Sequence, residues 1–167
     1  MAPTHTAVDA ATLDTLLALD NQFCFALNAA SRLVIRAYRP ILRELGLTYP
    51  QYLVLLVLWE WRRVAYPKPT VHALGERLDL DSGTLTPLLK RLEAKRIIVR
   101  QRSTKDEREV LVRVTSMGAS MRHKACQVPL TLLRNSPIPM TELIGLRDHL
   151  KHVRQVLVAH AARQSRP

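Results

Sequence analysis

The stretch that most constrains this chain is Leu80 to Lys95, LDSGTLTPLLKRLEAK. Asp81 or Ser82 can open a helix there, because either side-chain oxygen accepts from a backbone N–H that the first turn leaves orphaned. Leu85, Leu88, Leu89 and Leu92 recur at helical spacing and make one buried stripe. The other face presents Ser82, Thr84, Thr86, Lys90 and Arg91, hydroxyls and cations suited to phosphates and base edges. A shorter helix, Val71 to Leu78, precedes it with Leu74 and Leu78 inward. Only Asp79-Leu80-Asp81 separates the two. Two short helices joined by so brief a turn predict a helix-turn-helix, with the second as recognition helix.

Two β-rich runs follow, Ile97 to Arg102 and Val110 to Thr115. In the second, Val110, Val112 and Val114 alternate inward against Leu111 and Arg113. Between them lies the polar tip Ser103-Thr104-Lys105-Asp106-Glu107-Arg108. A charged hairpin directly after a recognition helix predicts a winged helix-turn-helix. Arg108 is the candidate for a minor groove. Asp106, an anion, is expected to hold Arg108 or Lys105 in place. A loop of this composition also serves plain solubility, and that reading stands beside the functional one.

Charge points the same way. Lys and Arg number 25 against 14 Asp and Glu, a formal +11, which favours a polyanionic partner. No apolar run reaches the ~20 residues that span a bilayer. The start, MAPTHTAVDAATLD, lacks the basic and apolar regions of a signal peptide, so the expected compartment is the cytosol and no membrane partner is expected. Two cysteines about a hundred positions apart make neither a CxxC pair nor a metal framework. Of the histidines, His149 and His152 share a helix but have no third ligand near them. No cofactor, no metal and no Ser-His-Asp arrangement is expected, and the chain does not read as an enzyme.

Helices flank the winged unit. Residues 1–18 are expected to be mobile, apart from a turn or two of helix from Ala10. Asp20 is a candidate cap for a long helix to about Tyr38, with Phe23, Leu27, Ala30, Val34 and Ala37 as its core stripe and Cys24, Asn28, Ser31, Ile35 and Tyr38 beside it. Pro40 should break or kink this helix. A short helix then ends at Gly46, and Thr48 caps the next, with Pro50 in its first turn. Thr115 or Ser116 opens a helix running through Cys126 to Pro129. A last amphipathic helix runs from about Thr141 to His160, carrying Leu143, Leu146, Leu150, Val153 and Leu157 on one side. The expected fold is mainly α with a small β-hairpin. The winged helix-turn-helix covers about 48–115 and helices for pairing about 19–45 and 116–162, in one domain over 19–167. Terminal apolar helices without an obvious partner suggest a second copy, which would set two recognition helices about one DNA turn, roughly 34 Å, apart.

These residues resemble the MarR family of bacterial regulators, and within it the organic-hydroperoxide-sensing OhrR branch. The resemblance is carried by LDNQFCFALNAASR at Leu19 to Arg32, LTYPQYLVLLVLWE at Leu47 to Glu60, LGERLDLDSGTLTPLLKRLE at Leu74 to Glu93, and DERE at Asp106 to Glu109. It implies a homodimeric repressor that leaves double-stranded operator DNA when an organic hydroperoxide oxidises a reactive cysteine. By position that cysteine is Cys24, its tyrosine partners are Tyr38 and Tyr49, and Cys126 is the second cysteine of a two-cysteine subgroup. The chain departs from the family in Arg96, where a glycine often ends the recognition helix, and in a longer connection, Trp61 to Pro69.

On residue chemistry alone Cys24 remains open between two readings. A cysteine on an apolar helix is often buried and inert. One in a first turn meets backbone N–H groups that favour a thiolate, although Asp20 on that turn would oppose it. Cys126 has Arg122 and His123 one turn back, which either favour its thiolate or are simply solvated. Tyr38 lies fourteen residues beyond Cys24, about 21 Å along a straight helix. If Tyr38 serves a Cys24, it serves that of a second subunit. Two other classes compete: a MarR-type repressor released by a small aromatic ligand, with structural cysteines, and a thiol peroxidase, against which the DNA-reading face and the lack of a paired redox motif argue.

Overall fold

The computed structural model describes residues 10–164, so the first nine residues of the expected mobile segment lie outside it. The chain forms two compact units, Met1–Ala125 and Cys126–Pro167. The first contains α1 (Ala10–Leu17), a 3₁₀ turn (Leu19–Asn21), α2 (Phe23–Glu44), α3 (Tyr49–Arg63), α4 (Val71–Leu78), α5 (Ser82–Ala94), β1 (Ile98–Arg102), β2 (Val110–Val114) and α6 (Ser116–Ala125). The second contains α7 (Gln127–Arg134) and α8 (Met140–Gln164).

The core of the first unit is α3. Its apolar run buries Tyr52, Val54, Leu55, Val57, Leu58, Trp59 and Trp61, and it touches α2, α4, α5, α6 and β2. A helix apolar on so many faces needs cover on most sides, and between Gln51 and Trp61 only the side with Leu56 and Glu60 is left exposed. Its start is fixed by Thr48, whose N–H donates to Gln51 Oε1 at 3.0 Å in a capping box, with Pro50 in the first turn. Just before it, Gly46 at φ 65° ends α2: its N–H reaches the Arg43 carbonyl (2.9 Å), and the Leu47 N–H that of Leu42 (2.9 Å).

Helix α2 departs from the sequence expectation three times. Gln22, not Asp20, is its N-cap, and Asp20 lies in the preceding 3₁₀ turn. The helix runs through Pro40 to Glu44 as one element. Proline there leaves the Arg36 carbonyl without its helical donor but does not stop a helix held by burial of Leu42 just beyond. The expected core stripe also faces outward: Phe23 is 75% exposed, Leu27 44% and Val34 52%. It is the neighbouring stripe, Ile35 and Tyr38 leading to buried Leu42, that turns inward.

The winged unit matches its sequence pattern closely. Asp79, at φ 53°, turns the chain between α4 and α5, and the Leu80 N–H closes on the Gly75 carbonyl at 3.0 Å. Asp81 caps α5, its Oδ1 accepting from the Thr84 N–H at 2.8 Å. Leu85, Leu89 and Leu92 are fully buried and Leu88 is half-buried. Helix α5 ends with Arg96 at φ 58°, the Ile97 N–H reaching the Leu92 carbonyl at 3.0 Å. This left-handed residue takes the place a glycine would fill without steric cost. The strands β1 and β2 are antiparallel, pairing Ile98 with Val114 and Arg102 with Val110. A further bridge, Thr70 with Leu111, adds the end of the α3–α4 connection to the outer edge of β2.

Thr115 starts α6, its hydroxyl accepting from the Gly118 N–H at 3.1 Å. The expected helix through Cys126 to Pro129 is instead two helices, α6 ending at Ala125 and α7 starting at Gln127. In the second unit α8 is longer than expected and has no buried residue. Leu146, Leu150, Val153 and Leu157 are all exposed.

Gly118 is the tightest point of the first unit. A Cβ there would overlap the Ile97 carbonyl oxygen, a backbone atom that cannot swing away. Gly118→Ala should therefore destabilise the fold by about 3 kcal/mol or more, the upper range for overpacking. Urea unfolding of the variant beside wild type measures this directly.

Candidate nucleic-acid interface and cysteine site

The capping of α5 decides which of its polar groups remain available. Thr84 is committed to the cap twice: its N–H donates to Asp81 Oδ1 (2.8 Å) and its hydroxyl to Asp81 Oδ2 (3.0 Å). These bonds stabilise the Asp81 carboxylate and hold its pKa below the usual aspartate value. Ser82, Lys90 and Arg91 are exposed, and Thr86 is half-buried. Pro87 is also exposed within the helix. The sequence reading passed over it, although it falls one helical turn before Lys90. Its ring offers an apolar contact of the kind a thymine methyl takes.

The wing tip is shaped by its own short side chains. Asp106 Oδ1 accepts from the Arg108 backbone N–H at 3.0 Å, and the Ser103 hydroxyl accepts from the Lys105 N–H at 3.2 Å. Asp106 thus holds Arg108 through its backbone and leaves the guanidinium exposed. An open groove of about 700 Å³ lies between the start of α5 and the wing, lined by Ser82 and Arg108 among others. Its walls also carry Glu76, Asp79, Asp81 and Glu109. Lys90, Arg91 and Lys105 do not line it, so Arg108 is the cation that faces it.

Two ties brace this surface, and neither was foreseen from sequence. Glu93 on α5 accepts from Arg100 on β1 three times: from the backbone N–H (3.0 Å), Nε (2.9 Å) and Nη2 (2.6 Å). The Arg100 side chain and N–H lower the Glu93 pKa. On the other edge of the hairpin Lys68 pairs with Glu109 at 2.5 Å. The hydrogen bond to Glu109 raises the Lys68 pKa, so the ammonium stays charged throughout the neutral range. The first joins residues seven apart across the end of α5 and the second residues far apart in the chain, and no local periodicity points to either.

Cys24 is the second residue of α2 and is exposed, flanked by the exposed rings of Phe23 and Phe25. Asp20 no longer shares its turn. Tyr38 and Tyr49 are brought together, ring centroids 4.9 Å apart at 58°, with Tyr52 behind at 6.2 Å from Tyr38. Burial raises the pKa of both phenols, and for Tyr38 the proximity of Tyr49 adds to it. Both hydroxyls therefore remain proton donors at neutral pH. Because α2 is continuous from Phe23 to Glu44, Cys24 stays about 21 Å from its own Tyr38. Cys126 is exposed between α6 and α7, and neither cysteine is in a disulfide. Among the described residues no group of three or more His, Cys, Asp and Glu could hold a metal, and no single helix is long and apolar enough to cross a membrane.

A capped recognition helix, a short first helix and a braced wing define a winged helix-turn-helix regulator of transcription. Residues 36–124 match the family model of the transcriptional regulator SarA/Rot. The chain is 50% identical over 132 residues to the organic hydroperoxide resistance transcriptional regulator of Bacillus subtilis (strain 168), covering 79% of this chain and 86% of that one. It is 42% identical over 166 residues to the HTH-type transcriptional regulator TtmR of Methylorubrum extorquens (strain PA1), covering 99% and 83%. Among solved structures, AbfR of Staphylococcus epidermidis superimposes with a TM-score of 0.70 at 30% identity, covering 89% and 98%. Reduced AbfR bound to DNA gives 0.67 at 34%, covering 84% and 94%. The chain belongs to the MarR family, among regulators of the organic hydroperoxide resistance kind, and is a DNA-binding transcriptional regulator rather than an enzyme.

The Glu93 pair gives this surface a pH signature. A carboxylate whose folded pKa is depressed stabilises the fold above its unfolded value, and that contribution is lost as pH falls through the folded one. Wild-type stability should drop on acidification below about pH 4.3, the ordinary glutamate value. Glu93→Gln should be less stable than wild type at pH 7 and converge with it at low pH. Unfolding midpoints measured across pH for both proteins test the convergence.

Proposed function

We propose that this chain is a homodimeric repressor that holds double-stranded operator DNA while Cys24 is a thiol and lets go when an organic hydroperoxide oxidises it. The observation that carries this is Cys24 itself. It is exposed in the first turn of α2 between two exposed phenylalanines, on a chain half-identical to an organic hydroperoxide resistance regulator. Ser82, Thr84, Thr86, Lys90 and Arg91 of α5 meet the major groove, with Thr84 acting chiefly as a capping partner. Arg108 enters the adjacent minor groove, and Lys105 and Asp106 shape the loop that carries it. The protein acts in the cytoplasm.

In the chemistry proposed, the Cys24 thiolate attacks the distal peroxide oxygen. The O–O bond breaks, the sulfur becomes a sulfenic acid, and the alkoxide takes a proton and leaves as an alcohol. Phenol hydroxyls of Tyr38 and Tyr49 from the second subunit donate hydrogen bonds to the sulfur, since a straight α2 keeps a chain's own tyrosine out of reach. The thiol of Cys126 then condenses with the sulfenic acid, releasing water and forming a disulfide. Cα atoms so joined are usually about 4.4–6.8 Å apart. The exposed apolar face of α2, Phe23, Leu27 and Val34, suits a second copy.

The switch is tested by titrating operator binding with cumene hydroperoxide, with and without dithiothreitol. Cys24→Ser should bind operator as wild type does and ignore the peroxide. Cys126→Ser should form the sulfenic acid but no covalent link on a non-reducing gel. Release of DNA by oxidised Cys24→Ser would sink the sensing role and favour release by a small aromatic ligand instead.

The wing assignment has its own test. Arg108→Ala should weaken operator binding and reduce the slope of log affinity against log salt by about one per subunit. An unchanged affinity and slope would remove Arg108 from the interface.

A further inference from the structure

The α3–α4 connection, Val64 to Pro69, is an ordered strut. Ala65 turns it at φ 48°, and the Tyr66 N–H closes back on the Trp61 carbonyl at 2.8 Å. The Tyr66 ring then stacks on the buried Trp61 ring, centroids 4.7 Å apart and planes 10° off parallel. Beyond it the Pro69 carbonyl accepts from the Val112 N–H at 2.8 Å, and Thr70 bridges to Leu111. Lys68 is thus held between two anchors, one in the core beside α3 and one on β2. From there its ammonium meets Glu109.

Glu109 closes the wing loop. Its carbonyl accepts from the Ser103 N–H (2.9 Å) and its N–H donates to the Asp106 carbonyl (3.0 Å). It directly follows Arg108 and precedes the first residue of β2. We infer that Lys68 is a positioning residue for DNA binding: through Glu109 it ties the wing loop to the strut and so fixes where Arg108 is presented, without touching DNA itself. The pair also offsets a carboxylate that would otherwise stand beside Arg108 on the face turned to phosphate. The Lys68 side chain is 64% exposed, so the pair adds little to folding stability. Its consequence is read in affinity. The inference rests on the wing assignment made above.

Operator binding is measured by fluorescence anisotropy at several salt concentrations for Lys68→Met, Glu109→Gln, the double variant, Lys68→Arg and the exchanged pair Lys68→Glu/Glu109→Lys. Arg108→Ala and thermal midpoints serve as controls. Each neutralised single variant should lose about five- to tenfold in affinity, a coupling of roughly 1–1.4 kcal/mol. The double variant should lose no more than either single one. Lys68→Arg should bind like wild type and the exchanged pair should recover most of the loss. Salt slopes and thermal midpoints should not move. The decisive variant is Glu109→Gln, which removes a negative charge near DNA and yet is expected to bind less tightly. The inference is overturned if Glu109→Gln binds as tightly as wild type or tighter. It is overturned equally if Lys68→Met lowers the salt slope by about one, the mark of a direct phosphate contact. If Arg108→Ala weakens binding while Lys68→Met does not, the wing assignment stands and the latch falls. If Arg108→Ala binds normally, both fall.

Discussion

A buried hydrogen bond from the Trp59 indole N–H to the Gly118 carbonyl, 2.8 Å long, joins the centre of α3 to the start of α6. The geometry around it tolerates no side chain at Gly118, because the Ile97 backbone passes directly against it. Thr115 completes the knot: its single hydroxyl proton is shared between the carbonyls of Arg96 (2.8 Å) and Ile97 (3.1 Å), and its oxygen accepts from the Gly118 N–H. Core helix, recognition-helix exit and the helix after the wing therefore meet at one point. An unmade bond here would strand a buried indole donor, at the cost of a desolvated polar group.

From that knot the DNA-reading elements extend as a braced frame. Arg96 accepts a left-handed conformation so that α5 ends and β1 begins within a few residues. Glu93 and Arg100 then clamp the two with charge-assisted bonds, one of them to the backbone. A fork donating twice to one carboxylate oxygen fixes direction as well as distance, which a single long-armed pair does not. The hairpin consequently leaves α5 at an angle set on both edges, by Arg100 on β1 and by Pro69 and Thr70 on β2. Such a frame suits a protein that must present a helix and a loop to neighbouring grooves.

What the sequence made legible was local. The caps at Thr48, Asp81 and Thr115, the stop at Gly46 and the leucine stripe of α5 are each written within a few residues, and each is where its chemistry placed it. Four readings failed because a competing signal, near or far, decided the outcome. Pro40 lost its breaking power because burial of Leu42 holds the helix beyond it. Asp20 lost the cap to Gln22 because the chain takes a 3₁₀ turn first, where Asn21 and Gln22 donate back to the Thr15 and Leu16 carbonyls. Periodicity found two apolar stripes on α2 but carried no information on which one α3 would cover. The helix expected to continue through Cys126 divides there because Pro129 has no N–H for the Ala125 carbonyl four residues back and its ring crowds it, so α6 ends at Ala125 and Pro129 falls in the first turn of α7. The pairs Glu93–Arg100 and Lys68–Glu109 were invisible because a charge on an exposed face names no partner until the fold supplies one.

The uncovered apolar faces decide how the proposed switch would work. Phe23, Phe25, Leu27, Leu33 and Val34 in the first unit, and Leu146, Val156, Leu157 and Val158 in the second, are all about two-fifths exposed or more. Burying such surface yields roughly 25 cal/mol per Å², so these faces favour a covering partner, which in the proposed dimer would be the second copy. Cys24 sits among the first group, so the proposed sulfenic acid would introduce a polar, hydrogen-bonding group next to apolar surface that the proposed dimer would bury. The proposed disulfide goes further, because it fixes one sulfur to another and leaves the helices no freedom to keep their former spacing. Two recognition helices must stand about 34 Å apart to meet successive grooves. The Glu93–Arg100 and Pro69–Val112 bonds tie α5 and the hairpin together within one chain, so in the proposed dimer a shift at α2 would move them as a unit and change that spacing. In the proposed mechanism, bracing within each half is what would let a single oxidised sulfur change that spacing and release DNA.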